Sequence, residues 1–209
     1  LGDVYKRQLY GLIMNFAFGM NNGLALTVSR CFGAGEREGI RRAVGWMVTL
    51  SAAMSIVLTT VSLLGRGALL QVLQVPAEVW DGAAAYLTVI LLGIPLTMLY
   101  NMEAALLRAV GNSVTPLLFL LFSSVLNVGL DAAFMGPLGM GVRGAAVATV
   151  LAQGISAVLG AVYLVRSYPE LHFTRAHLKK SARRAVMNMF WAGMSMGLMS
   201  AIYLSLIHI

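Results

Sequence analysis

Residues 109–130 read AVGNSVTPLLFLLFSSVLNVGL, twenty-two residues without a charge, closed by Asp131. A helix rises about 1.5 Å per residue, so roughly 20 apolar residues cross a bilayer core of about 30 Å. Five more charge-free runs of that length flank this one: Gln8–Ser29, Ala43–Gly65, Gly82–Met102, Gly144–Val165 and Ala185–Ile209. Short polar loops separate them. The pattern is that of an all-α, polytopic membrane protein, so any function lies inside a lipid-embedded bundle.

Composition agrees. Of the 209 residues, 59% are hydrophobic and 11% charged, and the mean hydropathy is +0.81. A soluble domain of this size could not cover so much apolar surface. The net charge of +7 in a soluble chain would point to nucleic acid, but its placement points to a membrane. Arg30, Arg37, Arg41 and Arg42 follow the first run, Arg108 the third, and Arg166, Arg175, Lys179, Lys180, Arg183 and Arg184 the fifth. The loops between carry only Arg66 and Arg143. Eleven basic residues against two is the positive-inside signature. It places the odd loops in the cytoplasm and the first run entering from outside. The lone Cys31 excludes an intrachain disulfide.

The two ends break this pattern. Leu1–Gln8 (LGDVYKRQ) and Leu204–Ile209 (LSLIHI) resemble translated sequencing-adapter ends. Residues 1–8 and 204–209 are therefore expected to be non-native, leaving an internal fragment. Within it, helices are expected at about Leu9–Phe32, Ala43–Leu64, Asp81–Leu107, Val114–Met135 and Gly144–Val165, with a further one starting near Ala185. Pro95 predicts a kink in the third. Arg66–Pro76 suits the outer interface, and the basic stretch Tyr168–Arg184 suits the inner leaflet.

Two acids fall at membrane-helix positions, and each is costly there. Ser123, Asn127 and Asp131 recur at i, i+4, i+8 on one helix face. Thr149, Gln153 and Ser156 share a face of the next helix. Counted from the short turn Gly136–Arg143, Asp131 and Thr149 lie roughly 9 and 8 Å deep at about 1.5 Å per residue. The two polar faces are thus expected to meet. A carboxylate, an amide and a hydroxyl make a hard-oxygen site suited to Na⁺ or a proton. Two plainer readings stay open: these groups only hold helices together, or Asp131 pairs with Arg143. Glu103, five residues before Arg108, is expected to snorkel or find a basic partner. Glu103→Gln is accordingly expected to be silent.

Other motifs carry less. Gly139-Met-Gly141-Val-Arg-Gly144 fits G-x-G-x-x-G but follows a membrane helix rather than a strand, so it reads as a tight turn, not a dinucleotide site. The small residues Gly144, Ala148 and Ala152 after it permit close helix packing. No Walker A, H-E-x-x-H or nucleophile elbow occurs, and no paired catalytic set argues for an enzyme. His172 and His177 are expected to be solvated. Met187, Met189, Met194, Met196 and Met199 read as lipid-facing or core filling, or as an adaptable binding surface.

In order, Ser29–Gly35 (SRCFGAG), Val75–Leu87 (VPAEVWDGAAAYL), Tyr100-Asn101, Leu107–Pro116 (LRAVGNSVTP), Leu126–Phe134 (LNVGLDAAF) and Gly139–Gln153 (GMGVRGAAVATVLAQ) resemble the multidrug and toxic compound extrusion (MATE) family. The resemblance implies a twelve-helix transporter of two six-helix lobes. This chain would supply helices 2–6 of the N-lobe (9–167), the inter-lobe connection (168–184) and the start of helix 7 (185–203). It further implies that Asn127, Asp131 and Thr149 are three members of a Na⁺ or H⁺ coupling site. Its fourth member, an acid, would lie on a first helix that this stretch does not include. Glu103 stands where the family resemblance leads one to expect a small polar residue, and Ala192–Leu198 (AGMSMGL) lacks the early proline of helix 7.

The implied function is cation-coupled antiport, exporting organic cations, drugs or toxic metabolites across a bacterial inner membrane. The implied partners are the bilayer and a small-molecule substrate, with no nucleic acid and no cofactor beyond the coupling ion, and the full-length protein is expected to be monomeric. The alternative is a lipid-linked oligosaccharide flippase of the same superfamily. That reading favours basic residues within the runs, where there are none.

Overall fold

Glycine caps the C-terminal ends of three of the longer helices, at Gly65, Gly93 and Gly136. The computed structural model describes residues 2–72, 75–179 and 183–207. Nine α-helices run through them: α1 (Gly2–Gly33), α2 (Arg37–Leu64), α3 (Arg66–Val72), α4 (Trp80–Leu92), α5 (Ile94–Ala109), α6 (Val114–Met135), α7 (Gly141–Ser167), α8 (Arg175–Lys179) and α9 (Arg183–Ile207). The α6 bounds are those expected from sequence, and α2 and α7 begin earlier than expected. Among the residues expected to be non-native, Leu1, His208 and Ile209 lie outside the described residues, as do Lys180 and its two successors in the connection.

The third run is two helices, α4 and α5, meeting at 41°. Proline at 95 has no N–H to give back to residue 91. The break itself falls at Gly93, where α7 comes so close that a side chain on Gly93 would run into Val150. The kink expected at Pro95 is present, and it lets α7 press into the bend.

Among the described residues, four helices are long and apolar enough to span a membrane: α2, α6, α7 and α9 over 183–203. The α4–α5 pair makes a fifth. The first run is not among them, since Asn15, Asn21 and Asn22 make α1 more polar. It tolerates them because α1 is the central helix, packed on α9, α5 and α2. Each asparagine amide donates to the carbonyl four residues back: Asn15 to Gly11 (2.8 Å), Asn21 to Ala17 (3.1 Å) and Asn22 to Phe18 (2.9 Å). Asn21 is fully buried. Its oxygen also accepts from Ser51 of α2 at 2.9 Å, and its amide faces Met98 Sδ of α5 at 3.7 Å. With its polar atoms partnered, Asn21 ties three helices together at little desolvation cost.

The α1–α9 contact is the most extensive helix pairing. Gly19 and Gly23 on α1 form one G-x-x-x-G and Gly193 and Gly197 on α9 another. They cross face to face, and a Cβ on Gly23 would lie 2.7 Å from Gly193 Cα. Small residues at this spacing let backbones meet, and apolar helices in lipid gain from that contact. On the far side, α6 packs on α7 and exposes Leu117, Leu121, Val125 and Val128, as a lipid-facing helix should.

Loops one, three and five gather at one end. His177 lies 3.6 Å from Glu38. Asn112 donates to Tyr168 at 3.0 Å and accepts from the Thr115 N–H at 3.0 Å. Phe173 and Leu178 cover Gly45. The basic residues expected on one side of the membrane therefore share one end of the bundle. His177 is only partly solvated, its side chain 15% exposed beside Glu38 of α2; His172 is exposed, with Nε2 2.8 Å from the Val165 carbonyl. The methionines divide: Met189 is buried, whereas Met187 and Met199 are exposed.

Candidate functional site between α6 and α7

The turn joining α6 to α7 is tight because Gly139 and Gly141 hold left-handed φ values of 60° and 57°, a region glycine enters without steric cost. Gly144 follows, with Phe134 packed directly on it. Two antiparallel helices joined this closely bring residues equally distant from the turn to the same depth. Asn127 Nδ2 donates to Thr149 Oγ1 at 3.3 Å, and Thr149 donates to the Ala145 carbonyl at 2.9 Å. Asp131, one turn along α6 from Asn127, is half-buried. Its Oδ1 is shielded from solvent and has no hydrogen-bond partner among the described residues.

Of the three residues singled out by sequence, Asn127 and Thr149 meet across α6 and α7, and Asp131 lies one turn further along α6. Ser123, which heads the same row, is buried. A shielded carboxylate oxygen without a donor is an unsatisfied polar group, of the kind buried sites rarely leave unpaired. Arg143 is exposed, and no ion pair links it to Asp131 among the described residues.

Two neighbours depart from the sequence expectation. Gln153 and Ser156 do not join this seam. Gln153 accepts a short hydrogen bond from Thr97 of α5, because α7 packs on α5 as well as on α6. Ser156 is fully buried and its hydroxyl has no partner among the described residues. Glu103 neither snorkels nor pairs. It is 3% exposed, both carboxylate oxygens lack partners among the described residues, and it lies against Gly160 of α7. Arg108 turns instead to α1, donating to Asn22 Oδ1 at 3.0 Å with its guanidinium 5.6 Å from the Phe18 ring centre. A five-residue separation puts Glu103 and Arg108 on different faces of α5, which spacing alone could have shown.

What these features define is a multi-pass helical membrane protein whose polar groups gather in seams between spans. The MatE family matches residues 7–133. The chain is 32% identical over 154 residues to the probable multidrug resistance protein YpnP of Bacillus subtilis (strain 168), covering 74% of this chain and 35% of that protein. It is 30% identical over 156 residues to the probable multidrug resistance protein NorM of Thermotoga maritima, covering 73% and 34%. Its fold matches the outward-facing conformation of a multidrug resistance MATE family transporter of the MOP superfamily with a TM-score of 0.84. That match is 24% identical and covers 94% of this chain and 44% of that one. The chain belongs to the MatE family of multidrug efflux transporters. It spans about a third of the length of the curated relatives it matches.

Proposed function

We propose that this chain forms most of the N-lobe of a cation-coupled antiporter that exports organic cations, drugs or toxic metabolites from the bacterial cytoplasm. Asn127, Asp131 and Thr149 would form part of its coupling site. The observation that carries the reading is the seam itself: a shielded, unpartnered Asp131 oxygen one turn from the Asn127–Thr149 hydrogen bond. A coupling ion drives transport only if it binds one conformation better than the other. A carboxylate at a seam between two helices suits that requirement, since Thr149 on α7 and Asn127 on α6 would have to be held together for the ion to gain both as ligands.

The test is transport by the full-length protein in proteoliposomes. A fluorescent organic cation should move against an imposed Na⁺ or H⁺ gradient. Movement indifferent to both gradients would remove the coupling reading.

Topology gives a separate prediction. From the basic bias of the odd loops, Glu38, Arg108 and Lys179 are expected in the cytoplasm and Glu78 and Pro137 outside. Single cysteines at these positions, in a Cys31→Ser background, should react with an impermeant reagent from the expected side only. External labelling at position 179 would overturn it.

A further inference from the structure

Glu103 is the one acid among the buried described residues. It has a fitted place. Residue 160 of α7 is glycine, and a Cβ there would occupy the position of the carboxylate Oε2. The carboxyl borders a cavity of about 380 Å³ between α2, α5, α7 and residues 171–173. Ser156, one turn from Gly160 on the same side of α7, is also buried with an unpartnered hydroxyl. A contact serving packing alone would not hold two unsatisfied polar groups, because each forfeits its hydrogen bonds to water.

The surroundings select the ligand. From α2 the cavity receives Val44 and Val48, and from α7 Ala161, Leu164 and Val165. None is titratable. On α5 itself, Tyr100 and Arg108 are the nearby ionisable groups, and Arg108 is engaged with Asn22. His172 lines the cavity from the connection, its Nε2 held 2.8 Å from the Val165 carbonyl. A metal ion needs several oxygen ligands, and no group of three His, Cys, Asp or Glu exists among the described residues. A proton needs only the carboxylate. It cancels the charge and leaves one O–H donor.

We propose that Glu103 is a proton-binding site, holding its proton while α5 and α7 are packed together and exchanging it with the basic end of the bundle through the cavity beside residues 171–173. Binding is a simple addition: a carboxylate oxygen takes H⁺ from water and returns it to water. The site is distinct from Asp131, which lies in the α6–α7 seam, so either assignment can fail without the other.

Infrared difference spectroscopy on the full-length protein in lipid, wild type minus Glu103→Gln, tests the site. A carboxylic C=O absorption should appear in the difference at neutral pH and give way to carboxylate absorption at alkaline pH. Carboxylate absorption already present at neutral pH would overturn the proposal. Phe173→Trp keeps the acid and narrows the cavity, so it tests the route even if the Gln variant folds poorly. Deuterium exchange of the carboxyl absorption should slow by about tenfold or more. An unchanged exchange rate would overturn exchange through the cavity.

Discussion

Asp131→Asn in the full-length protein abolishes gradient-driven efflux while leaving membrane yield and folding close to wild type. Asparagine keeps the size of the side chain and an acceptor oxygen, but it cannot carry or release a charge. The seam tolerates the exchange sterically, because Asp131 is only half-buried and its inner oxygen has no donor to lose among the described residues. Folding should therefore survive, and whatever depends on charge should not. Asn127→Ala and Thr149→Ala each remove one neutral ligand and the 3.3 Å bond between them. Each is expected to weaken apparent ion affinity by roughly fivefold, the equivalent of about 1 kcal/mol for one hydrogen-bonding group. If these residues only hold α6 to α7, the order inverts: Asp131→Asn leaves transport intact, and Asn127→Ala lowers stability. Proteoliposome efflux and thermal melting, measured on the same three variants, separate the two cases. Ion-driven efflux by Asp131→Asn at the wild-type rate would remove Asp131 from the mechanism.

The membrane architecture was legible because lipid imposes a length rule, although α6 (Val114–Met135) lies five residues further along than the charge-free run 109–130 that announces it. The Asn127–Thr149 contact was legible because a helix repeat puts i and i+4 on one face, and a short turn fixes depth. Other features were harder to read, each for a physical reason. A run measured by hydropathy alone cannot show which helix packs on the most neighbours, so α1, polar yet central, is the one whose composition understates its role. The partners of Gln153 and Glu103 depend on α5 packing beside α7, a contact between helices joined through α6 that no local pattern encodes. Arg108 was the nearest cation to Glu103 in sequence, yet helix geometry aims it at Asn22 on α1. The buried Glu103 carboxyl makes Glu103→Gln a change inside the bundle, so the silent exchange expected of a snorkelling acid does not follow. The paired glycine motifs were visible in sequence, at 19 and 23 and at 193 and 197, but only the fold shows that they meet.

That meeting sets the largest expected effect on stability. Gly23→Ala adds a single methyl group. It would overlap the Ala192 carbonyl oxygen and lie 2.7 Å from Gly193 Cα and 2.9 Å from Ala192 C. All three are backbone atoms of α9, so no side chain can rotate away. The helices must separate, and the loss spreads along the whole of the most extensive pairing in the bundle. Overpacking of this kind costs about 1–3 kcal/mol at ordinary core sites, and a rigid backbone contact belongs at the top of that range. Gly129→Ala on α6 is the matched control, since a Cβ there meets nothing within 4 Å. Its only effect is the gain of helix propensity, up to about 1 kcal/mol. The two substitutions are chemically identical and opposite in expected sign. Melting temperatures of the purified variants should fall for Gly23→Ala and hold or rise for Gly129→Ala. Equal melting temperatures would mean that α1 and α9 do not approach backbone to backbone. Gly19→Ala should follow Gly23→Ala but more mildly. Its nearest neighbours include the Ser200 side chain, which can turn aside, together with the Met196 carbonyl, which cannot.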